Sequence, residues 1–283
     1  MTGGLRRIKP LKIFGKFSFE LFVWALVLIN TIPIYLLLMI GLKSQQEFNA
    51  NPYGLPARIA WENIAKAWQQ MKMPTPIINS LVIVVCAIGG VLLISSVSSY
   101  AIARSRAKWT KYFYIYFLFG MMINFFMIMI PLYKMMSDMR LTGSLFGAIL
   151  VYIAQYSGFT TMMFVGFIGS IPRSLDEAAL IDGAGKIRTF FEIILPLLKP
   201  AMVSVIVFCA TWVWNDLLMP LLFLGNKHTT IITALYSFKG QDYTTNWTMV
   251  FAGSTVTIIP LLLLFLFFQR YFIKGMAAAA IKG

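Results

Sequence analysis

The sequence predicts an all-α, polytopic membrane protein with six transmembrane helices and cytoplasmic N and C termini. Three observations carry that expectation. Hydrophobic residues make up 59% of the chain and charged residues 12%, with a mean hydropathy of +0.78, whereas a soluble domain is about 45–50% apolar and about 25% charged. One water-soluble core could not hide that much apolar surface, but lipid can solvate it. The apolar residues also fall into six runs of the roughly 20 residues that a helix needs to cross a bilayer. The runs are unbroken rather than alternating, which points to helices and not to barrel strands. Finally, the net charge of +14 is held in short clusters between the apolar runs. Such clusters orient membrane proteins, so nucleic acid is set aside as a partner and membrane lipid is expected.

Each element follows in order. An N-terminal tail, 1–18, carries Arg6, Arg7, Lys9, Lys12 and Lys16. The apolar run behind it is long enough to span, so it reads as a retained anchor rather than a cleaved signal. The membrane domain, 19–272, holds spans at about 19–41, 77–103, 112–133, 145–169, 200–223 and 248–271, and a tail, 273–283, closes the chain. The first external loop places Trp61, Glu62 and Trp68 in an amphipathic pattern and ends in Pro74 and Pro76. Gly143 and Gly147 are spaced for close helix packing at the fourth span. With the N-terminus inside, the two tails, the second loop and the fourth loop hold sixteen of the 24 Lys and Arg residues. The external loops hold the other eight: Lys43, Arg58, Lys66, Lys72, Lys134, Arg140, Lys227 and Lys239. This excess of cations agrees with both termini lying in the cytoplasm. Cys86 and Cys209 sit in apolar runs and read as buried small hydrophobes. With the single histidine, His228, they cannot form a metal cage, and no metal site is expected.

The cytoplasmic loop at 170–199 is the most informative stretch. Pro172 stops a helix from extending upstream, and Ser174 followed by Glu177 fits a capping box. Asp176 and Glu177 in the first turn suit the helix dipole. A short helix at about 175–181 should end at Gly183, in the left-handed conformation that glycine adopts freely. A second helix, at about 186–194, carries Ile187, Phe190, Phe191 and Ile194 at helical spacing. Pro196 and Pro200 lead into the fifth span. Ala178 and Ala179 leave room for the close approach of another surface. From these residues alone, an amphipathic connector and a docking surface both stand open.

The order Glu177-Ala178-Ala179, Asp182-Gly183-Ala184, Ile193-Ile194-Leu195-Pro196 resembles the EAA motif of ABC importer permeases at every fixed position. Asn79-Ser80, Trp214-Asn215-Asp216 and the closing segment from Gln269 to Gly275 are similar to the carbohydrate-uptake branch, on the side of the six-span maltose and multiple-sugar permease subunit. The resemblance runs over nearly the whole chain. It implies a heterodimer with a second, homologous permease in a bacterial or archaeal plasma (inner) membrane. It also implies two ATP-binding cassette subunits, an extracytoplasmic solute-binding protein and a sugar substrate. Glu177, Ala178, Ala179, Leu180, Asp182, Gly183 and Ala184 would then form the coupling helix that docks on the ATPase, with Glu177 facing a cation there. ATP and Mg would be bound by the ATPase, leaving this chain without a cofactor and without a catalytic residue.

The sequence itself agrees that the chain carries no ATPase site. Gly183-Ala184-Gly185-Lys186 superficially matches part of a phosphate-binding loop, but Lys186 is followed by Ile187 where Ser or Thr is required, and Leu180 stands where the first glycine belongs. Polar groups within a span are expensive and commonly functional. Asp216, Asn215 and Trp214 in the fifth span are therefore candidate substrate-pathway residues. Asn79, Gln155, Tyr156 and Asn124 join them, with Tyr152 and Ser157 nearby. Aromatic rings could stack on a sugar while amides and carboxylates bond its hydroxyls, but the same residues could equally hold helices together. Alternatives to sugar import are import of another solute by the same machinery, a secondary transporter, which would need further intramembrane ionisable groups and an internal repeat, and a membrane scaffold.

Overall fold

A computed structural model describes residues 10–238 and 245–280, with side chains for 19–238, 245–267 and 269. Arg6, Arg7, Lys9, Lys239 and the last three residues, including Lys282, lie outside the described residues, as do the side chains of Lys12, Lys16, Arg270 and Lys274. The described chain is helical throughout, with no strand among the described residues. Five helices are long and apolar enough to cross a membrane, and a sixth crossing arises if one sharply bent helix pair counts as a single span. The chain divides into two units, Met1–Trp68 with Phe238–Val256 and Gln69–Ser237 with Thr257–Gly283.

The first unit contains α1 (Pro10–Gly41), α2 (Gln45–Ala50), most of α3 (Glu62–Gln70) and the N-terminal part of the last helix, Trp247–Ala280. The Ser44 side chain caps α2 by accepting from the Glu47 amide at 3.2 Å. The α3 helix is amphipathic, but its buried side is not formed by the tryptophans that suggest it in the sequence. Asn63 and Ala67 are buried, while Lys66 and Trp68 face outward, as does Trp61 just before the helix. Asn63 Nδ2 donates to the carbonyls of Gly41 and Lys43, at 3.1 and 2.7 Å, which ties the loop to the end of α1. Lys43, counted above among the loop cations, is fully buried. Its ammonium donates to the Asn51 and Pro52 carbonyls, at 2.7 and 3.3 Å. A cation can be buried only when such partners replace water.

The second unit is built around α4 (Thr75–Arg104) and α7 (Leu145–Gly169). Asn79, Ile83, Ala87, Val91, Ser95 and Ser99 are buried along α4 at four-residue intervals, a stripe that advances by about 40° per step and so winds slowly around the helix. In lipid, two apolar helices gain nothing from excluding water from each other. Small residues and buried hydroxyls hold them together instead. Ser95 Oγ and Ser99 Oγ donate to the Ser157 and Thr161 carbonyls of α7, at 3.3 and 3.2 Å. On another face of α7, Gly158 lets α5 (Lys108–Met122) come so close that a Cβ there would lie 2.6 Å from the Phe117 carbonyl oxygen. Gly147 is also a packing glycine, but it faces the Leu141 carbonyl of its own approach turn rather than another helix. Cys209 is buried as expected; Cys86 lies on the exposed face of α4, because the buried stripe passes it by.

Two segments expected to be single helices are broken. The third is α5 followed by α6 (Phe125–Asp138), bent by 100°. The break falls at Ile123 and Asn124, both extended, and the Asn124 side chain accepts from the Phe126 amide at 2.9 Å to start α6. Asparagine competes for backbone donors in this way, so it favours a cap over a helix interior. After the loop helix α8 (Ser174–Ile181), the fifth segment runs through α9 (Lys186–Thr189), a π-helical turn (Phe190–Ile194) and α10 (Leu195–Trp214), and then breaks before α11 (Leu218–Phe223). The helix starting at Lys186 is therefore continuous with the fifth span and not a separate loop helix. Pro196 and Pro200 lack the N–H that would continue the α-helical ladder, and a proline ring crowds the carbonyl four residues back. The wider π turn directly before Pro196 relieves that crowding. After α11, the short α12 (Ile231–Tyr236) starts with a reciprocal Thr230–Thr233 cap, and α13 (Trp247–Ala280) ends the described chain.

Candidate functional site

The loop at 170–199 folds as helix, reversed turn and helix. The first helix, α8, begins at Ser174 with Arg173 as its cap residue, and no side chain closes the cap. The expected Ser174–Glu177 box does not form, because Ser174 is already helical and the Glu177 amide is taken by the Arg173 carbonyl at 3.1 Å. That leaves the Glu177 carboxylate exposed and unpaired among the described residues. Gly183 follows with φ +76°, the left-handed conformation that glycine supplies without steric penalty. The Gly183 and Ala184 amides then return to the Leu180 and Ala179 carbonyls, at 3.1 and 2.8 Å, and close the helix end.

The exposure of α8 is uneven. Ala179 is buried and Ala178 exposed, whereas Leu180 and Ile181 are 71% and 86% exposed. Ile187, across the turn, is exposed as well. Large apolar side chains clustered on a polar loop mark a surface that expects a partner. A cleft of about 710 Å³ lies between this loop and the ends of α4 and α5, lined on the loop side by Asp176, Glu177, Leu180 and Phe190. The first turn of α8 is tied to α4. Asp176 Oδ2 is 3.0 Å from Arg104 Nη2, and Tyr100 Oη donates to Asp176 Oδ1 at 3.4 Å. In the sequence Arg104 is only an orienting charge, and its pairing is not legible there because Asp176 lies 72 positions further on.

The structure gathers some of the candidate pathway residues and separates others. Asp216 does not lie inside a helix but in the break after α10. Its Oδ1 accepts from the Leu218 and Met219 amides, at 3.0 and 3.3 Å, and so caps α11, while its Oδ2 accepts from Tyr152 Oη at 3.1 Å. Tyr152 is fully buried and stacks on Tyr156, with ring centres 6.2 Å apart and planes 7° apart. Tyr156 stacks in turn on Trp212, at 5.4 Å and 23°. A ladder of rings therefore leads from the capped carboxylate to Trp212, which is 41% exposed. Gln155 is exposed beside Tyr156 in sequence, and Asn215 is exposed with its amide turned back to the Thr211 carbonyl at 2.9 Å.

The other candidates are engaged elsewhere. Trp214 is only 5% exposed, and its indole N–H donates to the Thr257 carbonyl at 3.2 Å, so the ring pins α10 to α13. Asn79 Nδ2 donates to the Thr229 carbonyl at 2.9 Å, and Ser80 Oγ accepts from the Ile231 amide at 2.9 Å, which anchors the start of α12. Asn124 is the cap of α6 described above. Trp212, which is not one of the candidates read from the sequence, carries the exposed aromatic face. The signal that separates the two tryptophans is their spacing of two on α10, which sends them to different sides. Among the described residues no three His, Cys, Asp or Glu side chains come together as a metal site.

Apolar helices crossing a membrane, a polar aromatic ladder within them and a surface helix with an exposed apolar tip define a membrane transport component. Over residues 90–278 the sequence matches the family described as the binding-protein-dependent transport system inner membrane component, and the chain belongs to that family. It is 33% identical over 254 residues to the melibiose/raffinose/stachyose import permease protein MelC of Bacillus subtilis, covering 89% of this chain and 91% of that protein. It is 39% identical over 210 residues to the multiple sugar-binding transport system permease protein MsmG of Streptococcus mutans, covering 72% and 75%. In fold it is similar to a bacterial ABC transporter involved in the import of the acidic polysaccharide alginate, with a TM-score of 0.78 and 22% identity, covering 96% of this chain and 100% of that one.

Proposed function

We propose that this chain is one of two homologous permease subunits in an ATP-driven importer for an oligosaccharide or related sugar, with both termini in the cytoplasm. The observation that carries the proposal is the loop built from Glu177 to Ala184. Its helix ends in a glycine held at φ +76°, its apolar tip is exposed, and its exposed Glu177 carboxylate is placed to meet a cation. A cleft on the ATPase that grips this tip would move the loop when two ATP-binding subunits close on ATP and Mg. The spans continuous with the loop, α7 and α10, would carry that motion to the path and alternate its access between the two sides. The sugar-import roles of MelC and MsmG support an oligosaccharide cargo, delivered by an extracytoplasmic binding protein. Trp212, at the exposed end of the Tyr152–Tyr156–Trp212 ladder, supplies an aromatic surface on which a sugar could pack. Asp216 serves as the ladder's structural foot, since its oxygens are already occupied.

The test is sugar uptake into proteoliposomes containing this chain with its co-purified partners. Uptake should require ATP hydrolysis, and Glu177→Ala and Gly183→Asp should uncouple or release the ATPase. Uptake that persists without any ATPase would instead make the chain a secondary transporter.

A further inference from the structure

We propose that Arg104 and Asp176 form a latch that fastens the first turn of α8 to the cytoplasmic end of α4, so that α4 is the span that receives the motion of the coupling loop. The proposal rests on the coupling reading above and adds a route that chain connectivity does not reveal, because α4 is not joined to the loop in sequence.

The end of α4 and the beginning of the loop are stitched together in both directions. Arg104 Nη2 is 3.0 Å from Asp176 Oδ2 and donates to the Ile171 carbonyl, also at 3.0 Å. Arg173 Nη2 reaches back toward the Ala103 carbonyl, at 3.4 Å. Tyr100 donates to the same aspartate from one turn earlier on α4, and its ring lies 5.2 Å from that of Phe190 in the π turn. All of these ties engage the start of α8 or the π turn beyond it. The far end of α8, with Leu180, Ile181 and Gly183, is exposed. The helix is therefore a short lever, held at its first turn and free at the tip that a partner would grip.

The pair is more than a surface contact. The side chains of Arg104 and Asp176 are only 12% and 21% exposed. Arg104 Nε and Asp176 Oδ2 are both buried and neither makes a hydrogen bond among the described residues, so the 3.0 Å approach of Nη2 to Oδ2 is an ion pair rather than a directed hydrogen bond. The guanidinium thus depends on this one carboxylate for compensation of its charge, and loss of one partner from a largely buried pair is strongly unfavourable. Asp176 and Arg104 are positioning residues; neither is assigned contact with sugar or nucleotide.

The experiment uses the reconstituted importer and two readouts, ATPase association and sugar moved per ATP hydrolysed. Asp176→Asn should leave association within about twofold and lower sugar per ATP at least fivefold. The exchanged pair, Arg104→Asp with Asp176→Arg, should restore at least half of the loss. If Asp176→Asn leaves sugar per ATP unchanged, or lowers it with no recovery in the exchanged pair, the latch is refuted. If Asp176→Asn releases the ATPase as Glu177→Ala does, Asp176 belongs to the docking surface, which refutes the latch and leaves the coupling reading standing. If neither variant changes either readout, both readings fall. Should the exchanged pair not accumulate in the membrane, the double variant Arg104→Gln with Asp176→Asn decides: coupling no poorer than in Asp176→Asn alone supports the latch, and losses that add would refute it.

Discussion

Substitution at Gly183 separates the backbone of the coupling turn from everything around it. A Cβ at this position would meet no atom within 4 Å, so a larger side chain causes no clash and the penalty is conformational alone. An L-residue held in the left-handed region costs about 1–2 kcal/mol. A partner that binds only the turned form is weakened by the fraction of molecules that leave it. At 1.4 kcal/mol per factor of ten, Gly183→Ala should weaken ATPase association by about 5- to 30-fold. Gly183→Asn should be milder, because asparagine tolerates this region. Gly183→Val should lie at or beyond the upper end, since a β-branched residue fits it worst. Gly185, two residues on, is the internal control. Its φ is −69° and it too has open space, so Gly185→Ala should change association by less than twofold. The assay is titration of the nanodisc-embedded permease pair with the purified ATPase subunit. Equal binding by Gly183→Val and Gly183→Asn, or an equal loss at Gly185, would refute the argument from backbone strain.

Three further outcomes follow from the packing. Gly158→Ala places a methyl against the Phe117 carbonyl and should destabilise the α5–α7 contact by about 1–3 kcal/mol, read as a lowered unfolding temperature in detergent; Gly166→Ala, with open space around it, should not. Asp216→Ala removes the cap of α11 and should lose about 0.5–2 kcal/mol on that account, while Tyr152→Phe should lose about 0.5–1.5 kcal/mol. The double variant should be less destabilised than the sum, because both remove one shared hydrogen bond, and additive unfolding free energies would contradict the contact. Trp212→Ala should weaken sugar transport and also lose some stability, because the ring packs on Tyr156, Phe159 and Phe208, whereas Trp214→Phe, which loses the bond to the Thr257 carbonyl, should lower stability and spare transport. The reverse pattern in paired uptake and thermal-unfolding measurements would move the sugar path away from the ladder.

Much of this protein could be read directly from its sequence. Where the apolar runs lie is a local property, because a segment of about 20 apolar residues has few other places to go. The amphipathic helix before Gln70, the turn at Gly183 and the helix on either side of it are likewise set by neighbours within a few positions. Local signals failed where one residue had two competing uses. Asn124 and Asp216 sit in segments apolar enough to be continuous helices, yet each spends its side chain on a backbone amide and starts a new helix there. Ser174 and Glu177 have the spacing of a capping box, but the helix begins one residue earlier than the box requires.

Tertiary structure alone decided which polar side chains are spent on the fold and which are left available. Asn79, Trp214 and Asp216 were all attractive as pathway residues, and each is occupied by a partner far away in sequence. Trp212 and Trp214 are chemically alike, and only the faces of α10 on which they fall make one a stacking surface and the other a pin. The charge of Arg104 could be counted in the sequence as one of many that orient the chain, but its pairing with Asp176 required α4 and the fourth loop to end side by side. Hydropathy, capping and turn chemistry act over a few residues and are therefore written in order along the chain. A buried hydrogen bond or ion pair exists only once folding has brought its two ends together and removed the water that would otherwise satisfy them.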